Sequence, residues 1–162
     1  MACVTWCNYD GDIPPKNDGD PNSGVIEWEI DLSTYSDWYR NQLLGVLRRE
    51  TPVIPSQLYA AAHSTLCTSA TPGTELSGDG YARFSVSFER VSDIKIWNPV
   101  LVSSPTATAE WTVLSLSIWD SAVTGAGNYY AYGNLSEAFT LTAGKALAIE
   151  ANKLIVGMGS AP

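Results

Sequence analysis

The chain has 162 residues, enough for one domain with its own core; only 16% are charged, while tryptophan (6) and tyrosine (8) are plentiful, a balance that suits strands and Ser/Thr turns and excludes whole-chain disorder. Its formal net charge is −8 and no basic patch occurs, so the phosphate neutralisation that drives nucleic-acid binding has no source. No apolar run approaches the roughly 20 residues that span a bilayer, and the N-terminus lacks a charged region followed by an apolar segment, so neither membrane insertion nor signal-directed secretion is expected.

Residues 1–36 hold Asp10, Asp12, Asp18, Asp20, Glu27, Glu29 and Asp31 against Lys16 alone, so seven acids less one base place six of the eight excess negative charges there. Up to residue 24 the sequence is a succession of turn formers, among them Pro14-Pro15 and Asn17-Asp18-Gly19-Asp20-Pro21, which predicts an extended, irregular acidic arm. From Val25 to Leu32 the pattern changes: Ile26, Trp28, Ile30 and Leu32 alternate with Val25, Glu27, Glu29 and Asp31, the period of a single half-apolar strand over 25–32. Such a segment suits pairing with a neighbour's sheet edge, so Ile26, Trp28, Ile30 and Leu32 are candidate interaction residues.

Ser36 or Asp37 is placed to cap a helix, and Tyr39, Leu43, Val46 and Leu47 recur at helical spacing. Arg48 and Arg49 suit the C-terminal dipole, and Thr51-Pro52 ends the run. Gly45 inside it costs about 1 kcal/mol relative to alanine, a sign of close packing. Tyr39 and Leu43 join the interaction candidates on this docking helix.

Beyond Pro52 short strand candidates follow at 57–65, 81–90, 94–102, 110–119, 128–135, 137–142, 145–150 and 153–158, separated by Gly- and Pro-based turns. The clearest is Phe84, Val86 and Phe88 alternating with Arg83, Ser85, Ser87 and Glu89, after a loop with glycines at 73, 78 and 80. Many short strands at regular spacing predict a mainly β fold, an antiparallel β-sandwich or jelly-roll-like domain over residues 37–162 with one N-terminal helix, preceded by the 1–36 arm.

Chemistry is sparse. The cysteines number three, Cys3, Cys7 and Cys67, an odd count that fits a reducing compartment better than a disulfide framework. Cys3-x-x-x-Cys7 and His63-x-x-x-Cys67 supply zinc-ligand types, but on one strand His63 and Cys67 would stand about 13 Å apart, so free thiols are the plainer reading. Asp18-x-Asp20-x-Asn22 with Glu29 imitates a calcium loop, yet Ser23 occupies the glycine position and Pro21 stiffens the turn, leaving a solvated acidic turn. His63 is the single histidine, nothing near it resembles a nucleophile elbow, and the carboxylates Asp79, Asp93, Asp120 and Glu137 have no spacing that compels pairing. No enzyme activity and no cofactor are expected. Trp97, Trp111 and Tyr130 are candidate contacts for a host surface glycan; in 128–132, alternation puts Tyr130 and Tyr132 on one face and Tyr129 and Ala131 on the other, which a sandwich core explains equally.

Thr74-Glu75-Leu76-Ser77-Gly78 followed by Gly80-Tyr81-Ala82-Arg83 resembles the central motif of a family of small tailed-bacteriophage virion proteins described as tail-fibre proteins. The resemblance takes in the helix ending near Arg49, Leu58-Tyr59-Ala60-Ala61-Ala62-His63-Ser64, Trp111, Ile118-Trp119-Asp120, Tyr132-Gly133-Asn134-Leu135 and Leu141-Thr142-Ala143-Gly144, roughly residues 37–160. It implies a structural virion protein, assembled in the host cytoplasm, at the tail fibre or baseplate. It also implies contact with itself, as a trimer since fibres commonly are, and with other virion proteins. The same sandwich and arm would serve a capsid decoration or cement protein, and a glycan-binding receptor module is the rival class. Residues 1–36 have no counterpart in the resemblance.

Overall fold

The computed structural model describes residues 25–26, 30–31, 34–92 and 95–157. In chain order the elements are β1 (Val25–Ile26), β2 (Ile30–Asp31), β3 (Thr34–Tyr35), α1 (Asp37–Leu47), β4 (Leu58–His63), β5 (Phe84–Val86), β6 (Glu89–Arg90), β7 (Lys95–Trp97), β8 (Val102–Thr106), β9 (Trp111–Trp119), β10 (Tyr129–Leu141), β11 (Ala146–Ile149) and β12 (Leu154–Gly157). They form a five-stranded sheet in the order β3-β10-β9-β4-β5 and two smaller ones, β1-β11-β8 and β2-β12-β7-β6. One core joins all three: Phe84, Val86, Leu116 and Ile118 of the large sheet meet Val102, Leu147 and Ile149 of the second and Leu154 of the third. The protein is therefore a mainly antiparallel β-sandwich with one helix, as the strand spacing predicts.

Local pattern accounts for most elements. In β5, Phe84 and Val86 are buried and Ser85 is exposed, the alternation of a strand with one inward face. Ser36 is the helix cap: its hydroxyl accepts the Tyr39 N–H at 3.1 Å and donates to the Tyr129 carbonyl. Its own N–H bonds the Tyr130 carbonyl at 2.9 Å. One buried serine thus starts the helix and fastens it to β10.

Two details depart from the alternation. In β10 the pairing slips between Tyr129 and Ala131, so a bulge at Tyr130 resets the faces. Tyr129 and Tyr132 consequently share a side and stack with ring centroids 5.9 Å apart, while Tyr130 turns to the main core; period-two alternation over 128–132 paired them otherwise. A second slip between Asn134 and Phe139 is where sequence reading divides this single long strand in two.

The expected strand over 25–32 is two short ones. Val25 pairs in parallel with Ala148 and Ile26 with Ile149, then Ile30 with Leu154 and Asp31 with Ile155. The sequence offset is 123 for the first pair of contacts and 124 for the second, so the segment shadows the C-terminal strand across the corner where that strand passes from one sheet to the next. The corner between β11 and β12 imposes the break. The described backbone of Ile26 and Ile30 pairs within its own chain; Trp28 and Leu32 lie outside the described residues.

Asn98 fixes that corner. Fully buried, it donates from Nδ2 to the carbonyls of Val100 (2.9 Å) and Glu150 (2.7 Å) and accepts the Leu154 N–H at Oδ1 (2.8 Å). Its backbone bonds Leu154 and Asn152. All its polar groups are satisfied, and an apolar replacement would orphan the partners of its side chain, the Val100 and Glu150 carbonyls and the Leu154 N–H. Asn98→Leu is expected to cost roughly 3 kcal/mol in urea unfolding; a loss below about 1 kcal/mol would show that the corner holds without it.

Candidate functional site

The segment 73–83 is built around one ion pair. Gly73 lets the loop cross Thr65 where a Cβ would overlap the Thr65 carbonyl, and the loop then returns to β4: Leu76 N–H bonds the Ala62 carbonyl at 3.0 Å, and Glu75 pairs with His63. At Gly80 (φ +80°) the chain turns back where a side chain would strike the Thr106 carbonyl at 2.6 Å. That turn brings Arg83 to Glu75. Nε donates to Oε1 and Nη2 to Oε2, both at 2.7 Å, a bidentate fork whose side chains are 0% and 10% exposed. The other arm of the guanidinium, Nη1, donates to the carbonyls of Ser121 (2.9 Å) and Ala126 (2.8 Å), and its carbon lies 4.0 Å from the Trp119 ring centroid. The Tyr81 hydroxyl donates to Glu75 Oε1 at 3.1 Å and accepts the Ala62 N–H at 3.0 Å; burial first, and the Glu75 charge second, hold its ionisation above the ordinary tyrosine range.

Behind the pair lies a second polar chain. His63 Nδ1 meets the Gly73 carbonyl at 3.0 Å; a carbonyl only accepts, so the proton sits on Nδ1 and Nε2 takes the Ser117 hydroxyl at 2.6 Å. Ser117 in turn accepts the Trp119 Nε1–H at 2.7 Å. Burial, opposed by the Gly73 bond and the Glu75 charge, pushes the His63 pKa down. Ser117 and His63 have the spacing of a nucleophile and its base, but both are 0% exposed, so the oxygen meets protein on every side. Cys67 is likewise enclosed: its sulfur accepts the Gly73 N–H and contacts the Ser115 hydroxyl, both at 3.2 Å. Asn134 bonds the Cys67 backbone in both directions, at 2.9 and 3.1 Å.

The accessible feature is elsewhere. Leu43, Leu44, Val46 and Leu47 of α1 and Val53 and Ile54 after it are exposed, Leu47 to 81% and Ile54 to 84%. These six are more than half of the eleven exposed large apolar residues among those described, so they form a patch rather than scatter. Between helix and connector runs a groove of about 370 Å³, lined by Tyr39, Leu43, Val46, Pro52, Ile54 and Tyr130 among others. It adjoins a cavity of about 500 Å³ through Tyr39, Leu58 and Tyr130, with Arg90 and Lys95 in the farther lining. The second half of the predicted helix stripe thus faces outward, because the helix meets β10 through its first turn, where Trp38 and Tyr39 pack on Tyr130 at 4.9 and 5.3 Å between centroids. Gly45 is buried, yet what a Cβ there would meet is the side chain of Glu50, just past the end of the same helix, not a neighbouring element.

A scan against protein-family models matches residues 34–157 to the family described as Podophage GP4 fiber I protein gp80. The chain belongs to that family. The match runs from β3 through β12 and contains the whole Glu75–Arg83 motif, so this fibre-family chain is a phage virion component of the tail-fibre kind. A search of the curated proteins gives no match.

In this fibre protein the residues singled out from sequence separate. Trp111 and Tyr130 are 3% and 8% exposed; Trp111 packs edge-on to Tyr81, while Trp97 sits on β7 bonded to Glu89 at 3.0 Å. They form no common outward platform, because the two better buried rings lie on the inner face of the large sheet. His63 and Cys67 are drawn together around Gly73 by the turn after β4, but each has its ligand atom engaged by protein groups. Cys3, Cys7 and the Asp18–Glu29 pattern lie outside the described residues. Tyr39 and Leu43 do line one groove. Nothing in the sequence announces the ion pair, although both residues stand in the Thr74–Arg83 motif: eight positions on an irregular loop carry no periodicity that signals contact.

Glu75→Gln leaves the guanidinium buried without its counter-charge, and unfolding free energy should drop by about 3 kcal/mol or more; a drop under about 1 kcal/mol, the scale of an exposed pair, would refute the pair's role. For His63 the folded pKa lies below the unfolded value of about 6.5. The unfolded chain therefore binds the proton first, and stability present above pH 6.5 is lost as pH falls through the folded value. His63→Gln should remove that part of the acid slope, compared by denaturant titration at pH 7.5 and 5.

Proposed function

We propose that this chain is a non-enzymatic structural subunit of the podophage tail fibre, or of its attachment at the baseplate, that assembles in the host cytoplasm with further copies of itself and with other virion proteins. The observation that carries the reading is the division of labour between inside and outside. Glu75, Tyr81 and Arg83 of the motif, and His63 beside it on β4, are all engaged in internal bonds, whereas the helix and connector present apolar residues to solvent. An inward-turned polar network suits rigidity, and an outward apolar patch suits adhesion. A closed trimer is the proposed state, as expected of a fibre with cyclic symmetry.

Sedimentation velocity of the full chain over a range of concentrations is expected to give three times the chain mass; a monomer at the highest concentration would overturn the assembly reading. Density for this fold at the tail in images of intact particles supports the placement. Density on the capsid shell would instead assign the decoration role.

A further inference from the structure

We infer, resting on the assembly of copies proposed above, that α1 and the groove beside it are the surface through which copies of this chain meet, the outer ridge of one helix lying in the groove of the next copy. The helix sorts its exposed aliphatic residues into two rows at i, i+3 spacing. Leu43 and Val46 line the groove, together with Pro52 and Ile54 of the connector. Leu44 and Leu47 lie one step round the helix, stand outside the groove, and are 54% and 81% exposed. One short stretch of chain therefore presents a ridge and a trough side by side. Rows of this kind pack into the groove of a neighbouring element, so the surface holds both halves of one contact. A second copy supplies the missing half, and cyclic symmetry closes such a ridge-to-trough contact into a ring.

Extent and stiffness fit a protein partner. The exposed parts of Leu43, Leu44, Val46, Leu47, Val53 and Ile54 amount to on the order of 600 Å², at the top of what a lone domain leaves uncovered and close to the ~800 Å² that a standard interface takes from each partner. The walls are already set. Trp38 and Tyr39 anchor the helix on Tyr130, the Val53 N–H donates to the Gln42 side chain between connector and helix at 3.4 Å, and Pro52 and Pro55 stiffen the connector from both sides. Burying this surface therefore costs little ordering entropy.

Charge favours the same occupant. At a net charge of −8 two copies repel one another, but residues 37–54 carry none of that excess: Arg40, Arg48 and Arg49 against Asp37 and Glu50 leave three less two, or +1. Two of these arginines are matched at the ends of their own helix, Arg40 by Asp37 at 3.4 Å and Arg48 by Glu50 at 3.1 Å. An apolar centre with a self-compensated charged margin has the anatomy of an interface that like-charged molecules can share. It offers no cluster of unmatched charge to a partner of another kind.

Sedimentation velocity of the full chain compares wild type with Leu47→Glu, which puts a carboxylate at every such contact, and with Val123→Glu on the β9–β10 loop (64% exposed), which adds the same charge elsewhere. Leu47→Glu is expected to raise the concentration of half-association roughly tenfold or more with an unchanged circular dichroism spectrum, and Val123→Glu to leave it near wild type. A photo-crosslinking side chain at Leu47 should join two chains, the bonds mapping to residues 39–58 of the second. Association that survives Leu47→Glu, equal weakening by Val123→Glu, or crosslinks that are absent, confined to one chain or outside 39–58 would overturn this surface while leaving the assembly of copies in place. A wild type that stays monomeric at the highest concentration would overturn both.

Discussion

A guanidinium removed from water must find a counter-charge and donors' partners within the protein, and Arg83 meets that constraint at one place only. Glu75 takes two of its N–H groups, the carbonyls of Ser121 and Ala126 take two more, and Trp119 covers its face. The loop that returns to β4 and the segment entering β5 are thereby held together, and both are tied to the connection between β9 and β10, some forty residues away in sequence. A buried ion pair adds little net stability against apolar packing of the same shape. What it contributes is exclusion of alternatives, since any other course of these loops would leave a charge buried and unpaired.

The large sheet carries two unlike faces. Leu116 and Ile118 look into the main core, whereas Ser115, Ser117 and His63 form a polar row whose hydrogen bonds close on one another and on the 64–74 loop. Trp119, Tyr129 and Tyr132 complete that side with Cys67. Trp111 and Val113 belong to the main core although they share sequence parity with Ser115; the change of face falls beside the slip between Asn134 and Phe139 in the partner strand. A loop of small and polar residues can lie on a sheet in this way because side chains of the sheet meet its backbone groups, as Asn134 meets Cys67 and Ser115 meets Thr65.

A bonded interior and an exposed apolar ledge occur together in this fibre-family chain. A helix anchored by its first turn, through Ser36, Trp38 and Tyr39, projects its second half as a ledge whose apolar side chains belong to no core. The same residues buried under a neighbouring surface would stabilise contact between molecules by the ordinary removal of apolar area from water.

By itself the sequence determined the class of fold and most of its strands, because alternation in segments such as Phe84–Val86 and the turn formers between them report directly on which side chains face a core. It also determined the family, through the motif from Thr74 to Arg83, and the uneven placement of charge. Tertiary structure alone decided what those residues do. The bulge at Tyr130 inverted the expected faces of the tyrosines, and the corner fixed by Asn98 cut one strand into two. Glu75 and Arg83 became partners only when a turn folded one onto the other. Periodicity records a residue's relation to its neighbours in sequence, whereas bulges, corners and buried charge pairs are settled by what lies across space.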